Sequence, residues 1–265
     1  TGAREVDLAV VEQALELAAR RASGEPPREL AADAASWIGE RLRAAHGGQW
    51  AQHPLLGLAL EAPGGLDGVH LAPLAMVEKK WGLGAGLSLA RFVETLPERL
   101  AEEARHAALR AAPGETPADI AARLAPLSGL EATATAAALA NDFRKWWRRR
   151  HGHALALSLQ GAREADRFLR SQAFLLALRE EDLARMGFFL GEVTRGLFQG
   201  TWDFGEVRAT GDVARAALVW PELPYYPVGK VYKTLLSAAE EAPFDEYARL
   251  VPSARAELRK LSAGQ

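Results

Sequence analysis

A chain of 265 residues, 49% hydrophobic and 25% charged, is long enough for one large or two modest self-sufficient domains. Its net charge of −2 gives no overall attraction to polyanions, so a nucleic-acid binder of this composition would need a segregated basic patch. The absence of cysteine excludes disulfides and thiolate zinc sites, and no apolar run approaches the length of a membrane span. Nothing in this redox chemistry marks an extracellular protein, so the cytoplasm is the expected location, and Thr1-Gly2-Ala3 is neither a basic n-region nor followed by a signal-like core. The 26 Arg against 6 Lys, with abundant Ala, Gly and Pro, fit GC-rich coding and an origin in a high-GC bacterium.

In chain order, an amphipathic helix is expected from Val6 to Ala22, ended by "GEPP". Leu30, Ala34, Trp37, Ile38, Leu42 and Ala45 then fall at helical spacing, with Gly47-Gly48 as a left-handed stop. Short strands are expected in "LLGLALEA" and "GLDGVHLA", followed by helices from Pro73 and Ser88. "GETPADIAARLA" opens a helical connector, with Thr116 as cap, Pro117 at the first helical position and Asp119 near the positive helix end. A helix through "LEATATAAALANDFRKWWRRR" follows, then a short strand in "HALALS" and a helix capped by Ser158. Leu183, Met186, Leu190, Val193 and Leu197 mark a further helix, stopped at Gly200. Strands in "TWDFGEVRA" and "ARAALVW" precede helices from Pro227 and Pro243.

The two halves repeat one another. "SWIGERLRAAHGGQW" aligns with "FFLGEVTRGLFQGTW", matching Gly39-Glu40 to Gly191-Glu192, Arg43 to Arg195, Gly48 to Gly200 and Trp50 to Trp202. Further on, Pro73, Val77 and Lys79 match Pro227, Val231 and Lys233, while Phe92 and Pro97 match Tyr247 and Pro252. Ordered, colinear matches that include Trp, Gly and Pro point to a tandem duplication. Each copy reads as α+β, a helix, a small antiparallel sheet and then helices, with a first domain at 1–125 and a second at 126–265.

Candidate chemistry is sparse. In "FRKWWRRRHGH" the rings of Phe143, Trp146 and Trp147 share a helical face with Leu139, opposite Arg144, Lys145 and Arg148. That phase suits a buried aromatic stripe with cations near a helix C-terminus, not a stacking platform for nucleic acid. Gly39 and Gly191 fall inside helices, where glycine costs up to about 1 kcal/mol relative to alanine, so close packing is the expected return. Glu40 and Glu192 each precede an arginine by three residues, Arg43 and Arg195, which suits a local ion pair. Were the copies to face one another, the two carboxylates would instead form a paired-carboxylate site, with the arginines holding an anionic substrate.

"WGLGAG" before a helix has the glycines of a phosphate loop but lacks the preceding strand. The six histidines show no metal-ligand spacing, no serine sits in a G-x-S-x-G context, and neither metal nor cofactor is expected. "WPELPYYPVGK" sets prolines three apart beside Trp220, Tyr225 and Tyr226, an edge where exposed aromatics would bind a partner.

The glycine-glutamate helix, the tryptophan that begins the sheet, and the later P-x-x-x-V-x-K resemble an uncharacterised bacterial domain family whose helix reads L-G-x-x-L-G-E. "MGFFLGE" matches that helix and "ASWIGE" matches it more loosely, since its first glycine is replaced. The resemblance implies the α+β fold in two copies and no reaction. The resulting expectation is a non-catalytic protein-binding or adaptor protein, immunity-like in one variant, that engages another protein through the groove between copies or the edge from Trp220 to Tyr226. It carries no nucleic-acid or membrane-insertion role. The alternative is an enzyme or ligand-binding protein using the Glu40/Glu192 pair.

Overall fold

The computed structural model describes residues 7–22, 24–107, 115–172, 174–220, 223–236 and 242–248. It is α+β, and its contacts group the chain into two compact units, Thr1–Arg110 with Ser171–Ala177, and Ala111–Arg170 with Leu178–Gln265.

The first unit opens with α1 (Leu8–Arg21) and α2 (Arg28–His46). Asp7 caps α1 by accepting from the Ala9 N–H, and Gly47, at φ 72°, ends α2. Strands β1 (Gln49–His53), β2 (Gly57–Glu61) and β3 (His70–Leu71) run antiparallel, with Trp50 opposite Leu60 and Leu60 opposite Leu71. The helices α3 (Pro73–Leu83) and α4 (Leu89–Ala107) complete the unit, and α4 carries Pro97 in its interior. A fourth strand, β4 (Leu175–Leu176), pairs antiparallel with β3 although it lies far along the chain. Ile38, Leu42, Leu60, Leu71, Val77 and Leu96 form the core.

A buried polar node ties three of these helices together. Lys80 of α3 is 1% exposed and donates to Glu12 of α1 at 2.7 Å, to Glu16 and to the Leu87 carbonyl. Glu12 also accepts from the Leu89 and Ala90 N–H groups, capping α4 from another helix. Burial opposes ionisation of Glu12, yet the Lys80 ammonium and those amides hold its carboxyl below the usual range.

The second unit begins with α5 (Pro117–Leu124), which the sequence assigns to the end of the first domain but which packs on later helices of this unit. Thr116 and Asp119 form the full reciprocal capping box. Then come α6 (Gly129–His151), α7 (Leu159–Ser171) and α8 (Glu180–Phe198), with the Ser158 hydroxyl accepting from the Gly161 N–H. The sheet is β5 (Thr201–Asp203), β6 (Ala217–Trp220) and β7 (Leu223–Tyr225), antiparallel throughout. A short helix α9 (Gly205–Thr210) interrupts it, α10 (Pro227–Leu236) follows, and residues 244–248 are helical. α8 is buried almost all round from Glu181 to Thr194, packed between α6 and α10.

Three local expectations fail. "HALALS" forms no strand, because Arg144 takes the Leu155 carbonyl at 2.9 Å and the segment only joins two helices. "FGEVRA" is helical, turning into α9 straight after β5. The left-handed stop of α8 is Gln199, at φ 59°, and not Gly200. Val6 and Pro252 lie outside the described residues.

The interior glycines have a common cause. A Cβ on Gly39 would overlap the Trp50 ring and meet Pro73 Cγ at 3.2 Å, and one on Gly191 would overlap the Trp202 ring and meet Pro227 Cγ at 2.9 Å. Gly187 is pressed in the same way by the Val228 backbone, so α10 approaches α8 along a small-residue face. Gly191→Ala is therefore expected to destabilise by about 1–3 kcal/mol, with Gly39→Ala milder because Trp50 is half-buried and can shift. Gly196→Ala, in the same helix as Gly191 with open space around it, should stabilise by about 0.5–1 kcal/mol, and urea melts of the three variants order them.

Candidate functional site

Glu40 and Glu192, the residues of the paired-carboxylate idea, each stand in a local cluster of the same geometry within their own unit. Glu40 accepts from Arg43 Nη2 at 2.7 Å and from the Trp50 indole N–H at 2.7 Å. Glu192 accepts from Arg195 Nη2 at 2.8 Å and from the Trp202 indole N–H at 2.7 Å. In both, helical spacing of three residues brings the guanidinium alongside the carboxylate, and the first strand after the helix carries the tryptophan back across the glycine. The clusters differ in burial: the Glu40 side chain is 48% exposed and that of Glu192 is 4% exposed.

These contacts decide the chemistry. The Arg43 hydrogen bonds, then the Trp50 N–H, hold the Glu40 carboxyl below its usual range. A carboxylate that accepts from both a guanidinium and an indole is held in place by the two donors. The Arg195 guanidinium is likewise stabilised by Glu192. The two carboxylates are each brought together with their own arginine and tryptophan.

The aromatic edge is partly internal. Tyr225 is 4% exposed, stacked on Tyr247 at 4.8 Å between ring centroids. Thr194 donates to the Leu190 carbonyl, which leaves its oxygen to accept from the Tyr225 hydroxyl at 3.2 Å, and burial pushes that phenol up. Tyr226 is half-buried and donates to Glu206 at 2.6 Å, so its hydroxyl is committed as well. The Trp220 side chain lies outside the described residues. The expected exposed edge is thus corrected at Tyr225, whose ring is buried between Thr194 of α8 and Tyr247.

The stretch from Phe143 to His153 ends α6, with Phe143 and Trp147 buried and Gly152 as a left-handed cap at φ 75°. Phe143 lies against Phe189 of α8, and Arg150 covers the rings of Trp146 and Phe168. His153 faces the Glu164 carboxylate at 2.6 Å through Nε2 and the His151 carbonyl at 3.1 Å through Nδ1. The Glu164 contact, then the His151 carbonyl, raises the His153 pKa. Sequence spacing could not pair His153 with Glu164, since the link depends on the turn between α6 and α7.

Asp182, in the first turn of α8, also escaped the sequence reading. Burial, then the neighbouring Glu181, pushes its carboxyl up to about 6. Arg185 donates to it at 3.3 Å. Among the described residues no three metal-ligating side chains converge, and no helix is long and apolar enough to cross a membrane. No protein-family model, curated protein or solved structure matches the chain.

Two outcomes follow from this geometry. Trp202→Phe keeps most of the ring but deletes the donor to a buried carboxylate, and should destabilise by about 1–3 kcal/mol in urea melts, clearly more than Trp50→Phe at its exposed counterpart. For Asp182, a folded pKa above the ordinary 3.8 means that the folded chain binds more protons than the unfolded one between these values. Stability should therefore fall as pH rises through that window and level off above it, by up to about 3 kcal/mol, and Asp182→Asn should remove this fall.

Proposed function

We propose that this is a non-catalytic protein-binding or adaptor protein of bacterial origin, acting in the cytoplasm, with the outer face of α1 as its contact surface. The observation that carries the reading is a second apolar stripe on that helix. Leu8, Val11, Leu15 and Ala18 pack into the core, while Val10, Ala14 and Leu17 point to solvent, with Val10 57% and Leu17 48% exposed. A helix with one apolar face needs no second one for folding, and an added apolar stripe suits a protein partner. An immunity-like inhibitor is a specific variant of this reading.

The enzyme alternative is weakened by the commitment of both Glu40 and Glu192 to their own arginine and tryptophan. The same recurrence supports a tandem duplication and the resemblance to a repeated bacterial domain, because Gly, Glu, Arg, Trp and Pro make equivalent contacts in each unit.

Purification of tagged full-length chain from its native host, beside a Val10→Glu/Leu17→Glu variant, tests the reading. The wild type should retain a protein chain in stoichiometric amount by native mass spectrometry, and the variant should lose it with unchanged circular dichroism and melting. Retention of a small molecule in its place would overturn the proposal.

A further inference from the structure

We propose that the partner on the outer face of α1 is a second copy of this chain, joined by antiparallel pairing of the two α1 helices about a two-fold axis at Ala14. This rests on reading that face as a contact surface. Asp7, Val10, Ala14, Leu17 and Arg21 are all exposed and follow one another at alternating spacings of three and four residues. At about 100° per residue this spacing keeps the five side chains within one narrow stripe, the seam of a two-stranded coiled coil.

The order of residue types along the seam selects the partner. With Ala14 set against itself, antiparallel pairing brings Val10 against Leu17 of the second copy and Asp7 against Arg21 of the second copy, each contact occurring twice. Charge and bulk are thus self-complementary about one point, as an isologous interface requires. In-register parallel pairing would instead oppose Asp7 to Asp7 and Arg21 to Arg21. The small side chain at the centre lets the two backbones approach, and the helix dipoles run in opposite directions.

A seam of three apolar residues per copy is small, so the pairing should be reversible, with dissociation at about micromolar or higher concentrations. Sedimentation of the full chain over a range of concentrations should show a monomer-dimer equilibrium, and Arg21→Glu should weaken it about tenfold or more. Because the chain has no cysteine, Ala14→Cys supplies a single thiol. That thiol should oxidise to a dimer much faster than Val10→Cys, whose two copies would sit about 12 Å apart along the paired helices, beyond disulfide reach.

Equal oxidation of both variants, or a monomer at every concentration, would overturn the pairing. If the chain is monomeric but Val10→Glu/Leu17→Glu still costs it a different protein, the contact surface stands and only the second copy is wrong. If neither self-association nor a lost protein is seen, both readings fail.

Discussion

The angle between helix and sheet in each unit is set by one contact, an indole laid across a glycine in the middle of a helix. Gly39 and Gly191 leave the space in which the Trp50 and Trp202 rings lie, and Pro73 and Pro227 close the far side. A methyl group at either position would overlap the ring. The indole N–H then reaches the glutamate one residue further on, which an arginine one turn later holds in place. Shape and hydrogen bonding therefore specify the same arrangement, and the sheet can begin only where the tryptophan lies.

The units differ in how they build outward from this contact. In the first, Lys80 is buried with Glu12 and Glu16, an arrangement that adds little net stability over apolar packing but costs several kcal/mol to break, so it fixes register. In the second, α8 is surrounded by apolar side chains and by the close approach of α10 at Gly187, and register comes from fit. This contrast also explains why Glu192 is buried while Glu40 is half-exposed: α8 is covered by helices on both sides, and α2 is covered on one.

What could be read in the sequence was whatever depends on neighbours within a turn or two. The α+β class, the Thr116 cap, the buried phase of Phe143 and Trp147, and the packing purpose of Gly39 and Gly191 all follow from local spacing. What was missed depends on distant partners. β4 is two residues whose partners on β3 stand about a hundred positions earlier, a separation that no hydrophobic pattern encodes. Tyr225 looked like part of an exposed edge because proline spacing says nothing of which way a strand turns its rings. The rise of the Asp182 pKa needs the burial that only the packed helix supplies.

The same distinction bears on α1. A stripe of Val10, Ala14 and Leu17 could be hidden only by rotating the helix about its own axis, which would also lift Leu8, Val11 and Leu15 out of the core. Glu12 prevents it. Its carboxylate is fixed by Lys80 and by the first amides of α4, so turning Val10 and Leu17 inward would carry Glu12 away and leave Lys80 buried without that partner. The cost of unpairing a buried charge, about 3–5 kcal/mol, exceeds the roughly 1.5–3 kcal/mol gained by burying the exposed halves of Val10 and Leu17 together. Any rotation must also expose Leu15, which is 2% exposed, so the gain is offset again. The buried ion pair and the packing of Leu8, Val11 and Leu15 thus act together to hold the apolar stripe in water.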